Sequence, residues 1–245
     1  MKVTTALVGA LLGCSHAGAA VFEFHGSARS LDDDRPIYQE HHAVSGTCES
    51  GVFVPEQHQV DYLRASDDTP FASKQLTYRQ SVQLPEVDFH QPEFNERLEI
   101  SYPEANTLDI TWQKPSSETA MVELRFGSKL VVDAGFDQFV RANWAAVTSG
   151  QSVEFDFLAP TRGDYYGFVL DPGPKNRVDA DIVVHIRPTS LMLRVLVDPI
   201  VLGYNRQGAL THYLGLTNIR KNADANHTAA INYRVIRYPE CELTD

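Results

Sequence analysis

The chain has 245 residues, 43% of them hydrophobic, and a formal charge of −11 at pH 7 from 32 acidic and 21 basic side chains. An apolar fraction of that size buries a substantial core and excludes a disordered chain. The acidic balance argues against nucleic acid and anionic headgroups as partners, since phosphate contacts need a positive face, and it serves solubility instead.

Residues 1–20 read as an export signal. Lys2 gives a positive start, Ala6 to Gly13 is an apolar run too short to span a bilayer, and Ala17-Gly18-Ala19-Ala20 offers small residues to signal peptidase after Ala19 or Ala20. A second reading stays open, because Leu11-Leu12-Gly13-Cys14 approximates a lipobox, in which Cys14 becomes an acylated membrane anchor. Residues 21–245 then form one β-rich domain in the periplasm, soluble or tethered through Cys14. No later apolar run approaches the ~20 residues of a spanning helix. The strand count alone would allow an outer-membrane barrel, but Cys241-Glu242-Leu243-Thr244-Asp245 ends polar, without the usual terminal aromatic.

Outside the export segment only Cys48 and Cys241 remain, and in an oxidising compartment they are expected to pair. The rival, a nucleophilic Cys48 served by His41 or His42, is disfavoured by the negative Glu49 beside it.

Along the chain, residues 21–50 are mixed and polar and read as loop with room for one edge strand, Asp32-Asp33-Asp34 being a solvated acidic turn. Strand-like alternation begins near Val52, with Val60 and Tyr62, then Leu76 and Tyr78, on one face. Leu98 to Tyr102 and Leu108 to Trp112 alternate strictly around a Pro103-Glu104-Ala105-Asn106 hairpin connection, and Val122 to Phe126 follows the same period. Period two with one wet face means antiparallel strands. A single amphipathic helix is expected over about 133–149, capped by Asp133, striped by Phe136, Phe139, Val140, Trp144 and Val147, and stopped by Gly150. Strands resume at Val153 to Phe157 and at Tyr165 to Leu170, which ends in the turn Asp171-Pro172-Gly173-Pro174. Further strands are expected at Ile182 to Ile186, Leu191 to Val197, either side of a tight turn from Tyr204 to Leu210, and at Ala230 to Tyr238. The fold class is therefore mainly β: a curved antiparallel sheet, half-barrel or barrel-like, with one helix packed on it near the middle.

The stretch from Leu130 to Trp144, with Thr69 to Lys74 and Tyr213 to Ile219, resembles the pattern of an uncharacterised family of exported proteobacterial proteins. That resemblance implies export and carries no activity. Serial antiparallel strands with helical cover also resemble, in architecture alone, the half-barrel folds of periplasmic lipoprotein carriers and other lipid-handling domains. There a curved sheet holds an acyl chain against its concave face. On that likeness Trp112, Phe126, Phe139, Trp144, Phe155 and Phe157 are candidates to line an apolar-ligand site; they serve equally well as plain core.

Motifs for chemistry are absent. There is no Gly-x-Ser-x-Gly elbow, no phosphate-cradling or dinucleotide glycine loop, no His-Glu-x-x-His and no paired Cys-x-x-Cys. His41 and His42 are adjacent, and neighbours on an extended chain face opposite ways, so they do not chelate one ion as a strand pair. No metal or cofactor is implied. The leading expectation is a non-enzymatic envelope module that binds an apolar ligand such as a lipid. Two alternatives are a hydrolase-type enzyme whose site is assembled from distant residues, and a structural subunit docking on an envelope protein partner.

Overall fold

Alternation of inward and outward side chains organises nearly every element of the computed structural model, which describes residues 20–173, 177–196 and 198–244. Residues 1–19 of the expected export segment, with Cys14, and Pro174 of the expected turn, lie outside the described residues. The first half is a run of strands: β1 (Ala20–Ser30), β2 (Pro36–Glu49), β3 (Val52–Arg64), β4 (Pro70–Thr77), β5 (Glu86–Gln91), β6 (Glu96–Glu104), β7 (Thr107–Gln113) and β8 (Thr119–Arg125). A two-residue β9 (Leu130–Val131) leads into α1 (Gly135–Ala142) and α2 (Trp144–Thr148). The second half is β10 (Val153–Ala159), β11 (Asp164–Pro172), β12 (Ile182–Pro188), α3 (Leu191–Leu196), β13 (Ile200–Tyr204), β14 (Leu210–Arg220) and β15 (Asn226–Arg237).

All fifteen strands form one sheet in the order β8-β7-β6-β5-β4-β3-β2-β1-β15-β14-β13-β12-β11-β10-β9. Two meanders are joined at their outer ends, where β1 pairs antiparallel with β15, Gly26 opposite Tyr233. Among the described strands β9 and β10 are the one parallel pair. The sheet curves without closing, and its seam lies between β8 and β9. There the turn after β10 comes against β8, so close that a Cβ on Gly163 would sit 2.9 Å from Val122. Bulges supply the curvature. At the one between Ser45 and Gly46 a Cβ on Gly46 would lie 2.0 Å from the Val54 carbonyl oxygen, so only glycine fits.

Three expectations change. Residues 21–50 are two of the longest strands, at the centre of the sheet. Their alternation is hard to see because the inward face of β2 carries Tyr38, Glu40 and His42, while that of β1 dwindles to Gly26 and Ala28. The segment from Leu191 is helical through Leu196, not a strand, with Leu191 and Met192 exposed. The central helix is two short ones, broken at Asn143, whose side-chain amide donates to the Phe139 carbonyl at 2.8 Å. Asp133 does not cap it: the residue is left-handed (φ 44°) and its carboxylate takes Lys74, leaving Ala134 at the cap position. A further strand, β5, turns Val87 and Phe89 inward.

Buried polar clips tie the two meanders across the interior. Arg220 of β14 forks onto Glu96 of β6, with Nε 2.7 Å from Oε2. Gln91 of β5 accepts from the Arg220 backbone N–H at 2.9 Å and donates to the Asn218 carbonyl at 3.1 Å. The Glu96 and Arg220 side chains are 5% and 11% exposed. At the other end of the sheet Cys48 and Cys241 are bonded, with Cα atoms 5.9 Å apart and a sequence separation of 193. The tail they hold adds a bridge in which the Phe53 N–H donates to the Glu242 carbonyl at 2.8 Å, and it buries Leu243 against Phe22, Phe24 and Phe53.

Thiol labelling of unfolded, unreduced protein is expected to find neither Cys48 nor Cys241. Replacing both by serine is expected to lower the unfolding free energy by at most about 4–5 kcal/mol, the chain-entropy value for so long a loop; full labelling of both thiols would refute the bridge. Glu96→Gln leaves the Arg220 charge without its anion and is expected to cost roughly 3 kcal/mol in urea titrations. The double change Glu96→Leu with Arg220→Leu should cost less than that single one, and a strictly additive double mutant would show that the clip is not a pair.

Candidate functional site

Inward side chains of the curved sheet do not all meet. They surround a cavity of about 550 Å³ whose wall is mostly apolar, with Val60, Leu76, Leu98 and Ile100 from one meander, and Phe168 and Ile231 from the other. One face of α1, through Phe136, Asp137, Gln138 and Arg141, completes it. Its rim includes the turn at Pro160–Arg162, Leu193 of α3 and Leu216 of β14.

A row of polar groups crosses the apolar wall. Glu40 and His42 face inward from β2, as does His58 from β3. Glu40 Oε2 lies 2.9 Å from His42 Nε2, and His42 Nδ1 lies 2.9 Å from His58 Nε2. The Tyr233 hydroxyl donates to the same Glu40 oxygen at 2.8 Å, and the Tyr78 hydroxyl stands 3.5 Å from His58 Nδ1. One tautomer assignment satisfies the whole row: each imidazole donates from Nε2 and accepts at Nδ1, so every proton points toward Glu40. Gly26 makes this possible, because a Cβ there would lie 2.6 Å from the Tyr233 ring, which crosses β1 to reach β2. Phe24 stacks on His42 with ring centres 4.2 Å apart. Burial holds His58 well below the ordinary histidine value, so the ring stays neutral. Burial likewise pushes the hydroxyls of Tyr38, Tyr62 and Tyr233 up, keeping them as donors.

The interior cations are closed off. Lys74 Nζ is 2.8 Å from Asp133, and Arg141 is 2.7 Å from Asp137 while its Nε donates to the Gly208 carbonyl at 3.0 Å. Asp137 also accepts from Tyr204 at 3.1 Å, and burial raises its pKa against the pull of Arg141. Asn218 donates to Asp133 at 3.2 Å. Lys74, Asp133 and Asn218 come one from each of the three stretches that carry the sequence resemblance, so those stretches converge on one point of the wall.

Of the residues singled out from sequence, Phe157 lies on the cavity wall. Phe139 and Phe155 stack at 4.6 Å in the core between α1 and the β10–β13 strands, where Trp144 packs edge-on to Tyr204 at 5.8 Å. Trp112 and Phe126 flank the other core, Trp112 donating to Glu96 at 2.8 Å. The reason is packing: α1 and α2 fill the interior over Phe139, Phe155 and Tyr204, and the open space lies beside them, between α1, Phe157, Phe168 and the inward side chains of β2–β6. The polar row escaped sequence reasoning for the same cause, since an inward Glu or His erases the apolar alternation. One signal was present. His41 and His42 do face opposite ways, and each finds another histidine on a neighbouring strand: His41 stacks outside on His25 at 3.8 Å, and His42 meets His58 inside. Cys48, bonded to Cys241, is not a nucleophile.

No family model matches the chain, and no curated protein does. Among solved structures it is similar to a β-barrel-like protein of a domain of unknown function from Brucella abortus, with 8% identity, a TM-score of 0.41, and coverage of 90% of this chain and 96% of that one. It is also similar to a putative outer membrane lipoprotein-sorting protein domain from Vibrio parahaemolyticus, with 10% identity, a TM-score of 0.27, and coverage of 92% and 87%.

Proposed function

We propose that this protein is an exported, non-enzymatic component of the bacterial envelope that holds an apolar molecule, such as a lipid chain, inside its curved sheet. The observation that carries the reading is the cavity: about 550 Å³, walled mainly by Leu, Ile, Val and Phe side chains, within the ~300–1,000 Å³ range of small-molecule sites. Each methylene transferred into such a space gains about 0.8 kcal/mol. The Cys48–Cys241 bond suits an oxidising compartment. Signal cleavage after Ala19 fits the fold better than cleavage after Ala20, since Ala20 is 6% exposed and pairs with Gly46.

A second reading, an envelope protein partner docking at the rim, is favoured by the exposure of Leu191, Met192 and Leu216, with Leu216 on the cavity mouth itself. The two readings are compatible in one carrier that hands its ligand on.

Protein purified from the periplasm is expected to release an apolar molecule on organic extraction, and the emptied protein to bind an apolar fluorophore. Leu98→Trp, which fills the cavity, should weaken that binding about tenfold, equivalent to ~1.4 kcal/mol, with the fold intact by circular dichroism. Undiminished binding by the folded variant would place the fluorophore elsewhere. The intact mass of the mature protein should match a chain starting at Ala20; a mass carrying acyl groups on Cys14 would replace the soluble reading with the anchored one.

A further inference from the structure

Charge is distributed unevenly along the cavity. Inside, every charge is matched: Glu96 holds Arg220, Asp133 holds Lys74, Asp137 holds Arg141, and Glu40 takes His42 and the Tyr233 hydroxyl. The Tyr38 hydroxyl, closed to the cavity, has Thr217 and Glu40 in side-chain reach. A charged ligand group that came inside would have to break one of these pairs and leave a buried charge alone. The mouth differs. Arg162, at the end of the Pro160–Arg162 turn, and Asp198, between α3 and β13, both line it and both are exposed. Neither stands within ion-pair distance of an opposite charge among the described residues. One cation and one anion are thus unpaired on the rim of an apolar space, with the exposed Leu216 on the same rim.

We propose that the ligand is a single-chain amphiphile with a zwitterionic phosphate–ammonium head, its tail inside the cavity and its head at the mouth, phosphate toward Arg162 and ammonium toward Asp198. This rests on the apolar-ligand reading and adds the number of chains and the class of head. Volume sets the chain count. A methylene fills about the space of a water molecule, ~30 Å³, so a cavity of about 550 Å³ holds at most roughly 18 of them, one long acyl chain and not a pair. Charge sets the head. The chain carries −11, so a purely anionic head meets Arg162 against the field of the whole molecule. A purely cationic head sets a like charge beside Arg162, and an uncharged one leaves both rim groups without a partner. A zwitterion has no net charge and satisfies both.

The test uses purified, delipidated mature protein, an apolar fluorophore, and four competitors that carry one tetradecyl-length chain: a lysophosphatidylethanolamine, tetradecanoate, tetradecylammonium and tetradecanol, each kept below its micelle concentration. An exposed ion pair is worth up to about fivefold in affinity. The zwitterion is therefore expected to bind about tenfold more tightly than the alcohol, and about 0.5 M salt to erase most of that margin. Arg162→Gln should weaken the zwitterion and tetradecanoate about threefold, and Asp198→Asn the zwitterion and tetradecylammonium, while neither touches the alcohol. Both positions are exposed, so both variants keep the fold. Lengthening the lysolipid chain should raise affinity up to about 18 carbons and no further. Alcohol binding as tightly as the zwitterion, or a margin that neither substitution moves, overturns the head assignment and leaves the apolar cavity standing. Tetradecanoate binding more tightly than the zwitterion overturns it as well. Affinity that goes on rising with longer chains overturns the chain count. Failure of all four to compete removes the cavity reading along with the proposal.

Discussion

Pairing of β1 with β15 is the constraint on which the rest of the structure depends. Each meander alone is a twisted ribbon of sequence-adjacent hairpins, which local contacts can form. Joining the first strand to the last makes them one sheet, and only then does the concave face become an interior. That junction has the longest loop closure in the molecule and so the largest entropic cost. The chain reinforces it twice: the Cys48–Cys241 bond removes much of the same closure entropy from the unfolded state, and Tyr233 of β15 reaches over Gly26 to bond Glu40 on β2.

An interior formed this way is unusual in its polarity. Buried carboxylates, cations and imidazoles each cost several kcal/mol to dehydrate and repay it only when fully partnered. Here almost every one is. Arg220 and Gln91 clip β14 to β5 and β6, Lys74 and Asn218 converge on Asp133, and His42 and His58 pass their hydrogen bonds in one direction to Glu40. These contacts add less net stability than apolar packing would, and they fix how the two halves face each other. In a sheet whose seam stays open, that specificity keeps the cavity from collapsing onto its own apolar walls.

The sequence shows the fold where alternation is clean and hides it where the site begins. Leu98 to Tyr102, Leu108 to Trp112 and Val153 to Phe157 are strands as their period implies, and Ile231, Tyr233 and Val235 share the face expected of them. The disulfide follows from counting cysteines. Residues 21–50 fail for a physical reason, because a strand that presents Tyr38, Glu40 and His42 to the inside has no apolar face to read. Leu191 to Leu196 fails differently: a short apolar run carries no period, and six residues suit either state. Of the aromatic positions chosen from sequence, Phe139, Trp144 and Phe155 pack in the core that the helices cover, Trp112 and Phe126 flank the other core, and Phe157 faces the cavity.

The same logic separates the part of the cavity that the ladder fixes from the part it holds loosely. The polar row and its clips sit on β2–β6 and β14, strands laddered on both sides, so their geometry is set by the sheet. The mouth is made of what the sheet holds least: the turn at Pro160–Arg162, the six-residue α3 and the bulged end of β14 around Leu216. Elements with few ladder bonds open at lower free energy than central strands. The cavity therefore has a polar row fixed by the ladder and a mouth held by fewer ladder bonds. The exposed Leu191, Met192 and Leu216 lie on α3 and the end of β14, the elements that make this mouth.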